Sequence, residues 1–193
     1  AIVGDPTLRL ESSSSVETSV LQPLFDGRGE IGLAVFRSYF YDSIDFDSAL
    51  NRLVNQTEVV NWGSELTTSW LLDDTVSIGG HVTFVDTDIR DNDAELLNRP
   101  KWRLGTDVSW KGLKDITLTG RALYVGRVLD SSIPTGDVAL ADHTRFDVSA
   151  NWRFAPGWDV SLAVDNIFDN KYEEAVGFRA PGILPRMTLR LVF

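Results

Sequence analysis

Apolar and polar residues alternate along most of the chain. Trp102, Leu104, Val108 and Trp110 are separated by Arg103, Asp107 and Ser109. Phe146, Val148, Ala150, Trp152 and Phe154 alternate with Asp147, Ser149, Asn151 and Arg153. Met187, Leu189, Leu191 and Phe193 alternate with Thr188 and Arg190. A period of two held over eight or more residues marks strands with one apolar and one wet face, and helical spacing fits none of these runs. The pattern predicts nine strands, at 14–24, 30–45, 58–72, 76–90, 99–112, 116–130, 143–154, 159–172 and 186–193. Most exceed the ~5–6 residues usual in globular sheets and reach the ~9–11 that cross a bilayer at a tilt.

The connections fall into two kinds. Asp26-Gly27-Arg28, Asp73-Asp74, Leu113-Lys114-Asp115 and Pro156-Gly157-Trp158 read as tight turns. The connections around 46–57, 91–98, 131–142 and 173–185 are longer and more polar, and the spacing of Ala49, Leu50, Leu53 and Val54 permits a short helix in the first. Short turns on one side and long loops on the other are the layout of an outer-membrane barrel. Trp70, Trp110, Trp152, Trp158, Phe25 and Phe154 lie near the tight turns. Trp62, Trp102, Tyr39, Tyr41, Tyr124 and Tyr172 lie nearer the opposite strand ends. Amphipathic rings collect in this way at the two interfaces of a membrane.

Composition removes several other classes. The 193 residues carry a net charge of −10, which argues against nucleic acid as a partner. There is no cysteine, so disulfide scaffolds and thiol chemistry are excluded. No apolar run approaches the ~20 residues of a transmembrane helix, but a β-barrel averages to a hydropathy near zero. Two long strands per period of about 40–47 residues do not make a propeller blade, which needs four short ones. A sandwich would show turn signals every ~8–12 residues. Nine strands, an odd number, and a chain that starts directly in Gly4-Asp5-Pro6 suggest that an N-terminal part of the barrel is missing.

The C-terminal end is more specific. Val164-Asp165-Asn166-Ile167-Phe168-Asp169-Asn170-Lys171-Tyr172 resembles the penultimate strand of TonB-dependent outer-membrane receptors. Gly177-Phe178, Pro181-Gly182 and the closing aromatic Phe193 fit the same family, and Gly4-Asp5-Pro6-Thr7-Leu8 through Glu11 resembles the stretch that enters one of its barrel strands. In the family motif, Asn166, Phe168, Asp169, Tyr172, Pro181 and Gly182 are the matching positions. The resemblance implies an all-β fold: an antiparallel transmembrane β-barrel in which residues 1–193 are about nine C-terminal strands of 22, with the plug domain absent. It implies a receptor and transporter, not an enzyme, in the Gram-negative outer membrane. Such a receptor takes up a scarce nutrient of the ferric siderophore, haem or cobalamin class, with energy from TonB and no cofactor. Its implied partners are the small-molecule ligand, the N-terminal plug, TonB, membrane lipid and lipopolysaccharide, and the barrel-assembly machinery. Met187, Leu189, Leu191 and Phe193 resemble the C-terminal signal that this machinery reads. The alternatives are a complete small outer-membrane barrel with a structural or adhesive role and, more remotely, a soluble β-rich carbohydrate-binding module.

No catalytic constellation is present. His81 and His143 are not in a metal-ligand spacing, and a solvated or core-network role fits both. Arg103, Asp107, Arg145, Asp147, Arg153 and Arg190 fall on the wet face and would line the lumen, where buried charges need partners. Arg90, Arg121, Arg127 and Arg179, nearer the long loops, are the candidates for a substrate path. Asp86, Asp88, Asp91, Asp93 and Glu95 gather hard oxygen ligands suited to Ca²⁺, but the EF-hand glycine is missing and a solvated acidic loop is the simpler reading.

Overall fold

The computed structural model describes residues 5–47, 50–90 and 95–192. Among these residues thirteen strands appear in chain order: β1 (Ser12–Leu24), β2 (Gly29–Asp47), β3 (Arg52–Leu71), β4 (Val76–Ile89), β5 (Trp102–Leu113), β6 (Ile116–Val125), β7 (Val128–Ser132), β8 (Gly136–Leu140), β9 (His143–Ala155), β10 (Trp158–Asp165), β11 (Glu173–Ala175), β12 (Phe178–Arg179) and β13 (Leu184–Leu191). Nine form one antiparallel sheet, in the order β1-β2-β3-β4-β5-β6-β9-β10-β13. The short pairs β7–β8 and β11–β12 are separate hairpins within two of the long loops.

Directly opposed residues of an antiparallel pair share a face, so the register sorts the whole sheet. One row runs Val20, Leu33, Leu66, Val82, Leu104, Tyr124 and Thr144. Another runs Trp110, Leu118, Ala150, Leu162 and Met187. These rows belong to the apolar outer face. The inner face carries Thr83, Arg103, Val125 and His143 in one row and Gly79, Asp107, Arg121 and Asp147 in another. Close packing across the inner rows is local: a Cβ on Gly105 would run into the His81 ring.

Two aromatic clusters mark the ends of the outer face. Phe25 meets Trp70 at 5.5 Å, and Phe154 lies 5.5 Å from Trp152 and 5.7 Å from Trp158, all by the tight turns. At the loop end Phe84 lies 5.1 Å from Trp62 and 4.6 Å from Trp102. Tyr172 departs from the girdle reading. It turns to the inner face and stacks on His143 at 3.7 Å.

Several boundaries differ from the sequence pattern. The strand expected to run to 130 breaks after Val125, because Gly126 closes the β5 pairing through its N–H to the Trp102 carbonyl and the chain then leaves the sheet. The strand expected to run to 172 stops at Asp165, because Asn166 adopts a left-handed φ of 52°. The last strand begins at Leu184 rather than 186. No helix forms at Leu50–Val54: Asn51 has a φ of 52°, and Leu53 and Val54 pair with Phe46 and Asp45. Met187, Leu189 and Leu191 share the outer face, whereas Phe193 lies outside the described residues.

The sheet does not contain its own core. Among the described residues the buried apolar side chains are Val59, Val60, Ile89 and Leu140. Each contributes about 1.5–3 kcal/mol, far below the conformational entropy of a chain this long, at ~1–2 kcal/mol per ordered residue. Meanwhile Val16, Val20, Leu33, Leu66, Val148, Leu162 and Met187 are exposed on the outer face. Such a face is stable only against lipid. The sheet is also open, with β1 and β13 at its two edges. This weighs against a complete small barrel, and the lack of a second packed layer weighs against a soluble module. Residues 1–193 produced alone are therefore expected to aggregate, since each unsatisfied edge group in lipid costs several kcal/mol. A monomeric, heat-resistant species of these residues on a semi-native gel would contradict the open-wall reading.

Candidate ligand cavity at the loop end

Strand register brings Arg103, Val125 and His143 side by side on the inner face, with Leu123 and Arg145 in the next row toward the tight turns. These residues floor a cavity of about 330 Å³. Its cover comes from three loops. Asn98 and Pro100 belong to the β4–β5 connection, Val128 and Leu140 to the β7–β8 hairpin, and Tyr172, Glu173 and Glu174 to the β10–β13 connection.

The polar groups are ordered by one another. The Arg145 guanidinium donates to the Asp147 carboxylate at 3.1 Å. Asp147 in turn accepts the Asn166 N–H at 2.9 Å. Among the described residues Arg103 has no ion-pair partner within 4.0 Å, and its side chain is exposed into the cavity. The floor thus offers one free and one braced guanidinium, an imidazole and apolar walls. That set can hold a small polar or anionic group against apolar surface.

The cover is fastened at Asp130, a residue that is 6% exposed. It accepts the Val176 N–H at 2.7 Å, the Ser131 N–H at 2.8 Å and the Asn98 side-chain amide at 3.1 Å. Burial pushes this carboxyl up, but the Val176, Ser131 and Asn98 donors outweigh it and hold it below the ordinary carboxylate value.

The substrate-path candidates lie elsewhere. Arg90 pairs with Glu58 at 2.7 Å, Arg127 with both oxygens of Glu95 at 2.9 and 3.2 Å, and Arg179 with Glu173 at 3.9 Å. Arg121 stands between Asp107 and Asp147 in its inner-face row. Of the other wet-face charges, Arg153 pairs with Asp159 at 3.2 Å, and Arg190 is opposite Asp159 near the tight turns. Asp86 is engaged by Lys101 at 2.5 Å and Glu95 by Arg127. Asp88 faces outward opposite Val60, and Asp91 and Asp93 lie outside the described residues. Among the described residues no three such ligands gather as a metal would require. His143, Asp130 and Asn98 entered no candidate site on sequence alone. The odd-numbered parity that His143 and Arg145 share at the start of β9 was the available signal.

An open antiparallel wall with a lipid-seeking outer face and a polar inner face is part of a transmembrane β-barrel. The TonB dependent receptor-like beta-barrel family model matches residues 1–167, and the chain belongs to that family. TonB-dependent receptors as a family are outer-membrane proteins of Gram-negative bacteria, and they are transporters rather than enzymes. No curated protein sequence matches the chain. Among solved structures, the ferripyoverdine receptor of the outer membrane of Pseudomonas aeruginosa, bound to ferripyoverdine, is 17% identical with a TM-score of 0.75, over 94% of this chain and 27% of that one. The ferric-catecholate import receptor Fiu of E. coli K12 is 15% identical with a TM-score of 0.78, over 100% and 30%. The copper transporter OprC is 15% identical with a TM-score of 0.83, over 97% and 32%. At these identities the likeness is one of fold, and the chain spans less than a third of each of these structures.

Proposed function

We propose that residues 1–193 form the C-terminal portion of a 22-stranded barrel, and that the whole receptor takes up a scarce nutrient of the ferric siderophore, haem or cobalamin class. The observation that carries this reading is the cavity floored by Arg103, His143 and Arg145 on the inner face, at the end of the sheet where the long loops cover it and cargo would arrive. Two of the structural neighbours are named for ferric chelates and one for copper, which supports a metal-bearing cargo. A plug and a TonB-binding segment would belong to the rest of the receptor. The inner-face charges would meet plug or water, and the outer face lipid and lipopolysaccharide. The alternating Met187, Leu189 and Leu191 support recognition of the last strand by the barrel-assembly machinery.

The test is an uptake panel in cells carrying the intact receptor, with radiolabelled ferric hydroxamate and catecholate chelates, haem and cobalamin. One cargo should enter, only when TonB is present. Arg145→Ala should weaken its binding on the order of tenfold or more, the value of a hydrogen bond to a charged group. Uptake of none of them, or passage that ignores TonB, rejects the reading.

A further inference from the structure

The β4–β5 connection is tied to the start of the β7–β8 hairpin by the Arg127–Glu95 pair, but the residue that joins all three loops over the cavity is Asp130. One carboxylate joins the β4–β5 connection through Asn98, its own β7–β8 hairpin through Ser131, and the β10–β13 connection through Val176. A second bond runs beside it, from the Asn98 N–H to the Leu129 carbonyl at 2.7 Å. Among the described residues no cation pairs with Asp130, so its negative charge is held by amide donors alone. A buried anion of this kind is costly unless every donor stays in place. Release of any one loop therefore weakens the hold on the other two.

We propose that Asp130 is a positioning residue that fastens the three outer loops into a single cover, so that access to the cavity from outside depends on one buried carboxylate. The inference deepens the reading of the cavity as a cargo site and rests on it. The residues that would touch cargo come from different loops, Asn98, Val128 and Tyr172 among them. Asp130 touches the cover and does not line the cavity itself. Its effect on cargo would be to keep these groups in register and to slow escape.

Residues 1–193 contain no cysteine, so labelling of a reporter thiol placed among them is read against the same receptor without it. In the intact receptor, Val125→Cys sets a thiol on the cavity floor. Its labelling by a membrane-impermeant maleimide on whole cells measures access past the cover. Asp130→Ala should raise the labelling rate on the order of tenfold. Asp130→Asn keeps the volume but loses an acceptor, and should raise it by less. Asp73→Ala is the control. Asp73 caps the tight turn at the opposite end, through Thr75 and Val76 at 2.7 and 2.8 Å, and should leave labelling unchanged. Outer-membrane level and heat-modifiability should be the same in all variants, which a general loss of structure would not allow. Unchanged labelling in both Asp130 variants overturns the proposal, as does an equal rise in the Asp73 variant. The measurement needs no cargo. Faster labelling together with an Arg145→Ala receptor of undiminished uptake would keep the fastening role and reject the cavity as the cargo site.

Discussion

Val148→Arg is expected to destabilise the intact receptor by about 2–4 kcal/mol, the cost of Arg at the lipid face near the bilayer midplane. That is roughly 30- to 1,000-fold in the folding equilibrium. Val148 is exposed on the outer face, in the row that contains Val108, Gly120 and Val164. Trp152 stands four positions toward the tight turn and Thr144 four toward the loop end, so Val148 lies at the middle of its span. Leu104 is only two positions from Trp102, which packs on Phe84 in the loop-end cluster. Leu104→Arg should therefore cost less, because its guanidinium can reach the interface. Ser149→Arg, one residue along β9, points to the inner face with Thr119 and Ala163 and should be mild. Denaturant titration of the receptor refolded in bilayers gives the three values directly. Similar losses for Val148→Arg and Ser149→Arg would refute the assignment of the two faces.

The parts of this fold that were legible in the sequence are those fixed by sidedness. A strand between lipid and water must alternate, so β4, β5 and β9 announced themselves through Ile78, Val82, Leu104, Val108, Phe146 and Val148. The parts that were not legible are those where the chain leaves the bilayer and sidedness lapses. The five residues of β7 and of β8 pair only with each other, in a hairpin whose far end is fixed by Gly136 at a φ of 65°. No face is imposed there, and the pattern read straight through Gly126. The cavity was hidden for a related reason. Parity showed Arg103 and Arg145 facing inward, but Tyr172 comes from a loop, and only the tertiary fold lays its ring on His143. Asp130 carried no signal at all: the pattern made it the last residue of the strand 116–130, and a carboxylate at the edge of a polar loop is ordinarily solvated.

Asn166 was legible as part of a family motif and misread in its geometry. It is a knot, not a strand residue, and its replacement should open the last loop. Asn166 is 2% exposed at a φ of 52°. Its side-chain carbonyl accepts the Asn170 N–H at 2.9 Å, and its amide donates to the carbonyls of Asn170 at 2.9 Å and Pro181 at 3.2 Å. Asn170 in turn donates from its side chain to the Thr144 carbonyl at 2.8 Å, which ties the loop to β9. Asp169 and Gly182 complete the arrangement, for a Cβ on Gly182 would collide with the Asp169 carboxylate. Asn166→Ala leaves a buried N–H and two carbonyls without their partner, at about 1–3 kcal/mol for each group that water cannot reach. The left-handed backbone adds about 1–2 kcal/mol for a residue with a Cβ that has no local hydrogen bond to offset it. Asn166→Gly loses the same bonds without the backbone cost and should fall short of Ala by about that amount. Native-state hydrogen exchange at the Asn170 and Ala180 amides reads the opening locally. Ala180 donates to the Tyr172 carbonyl at 3.0 Å, so its amide reports whether the Tyr172 end of the loop is released as well. Faster exchange at both amides, greater in Ala than in Gly, is the expected result. Protection at Asn170 equal to the unsubstituted receptor would show that the knot does not hold the loop.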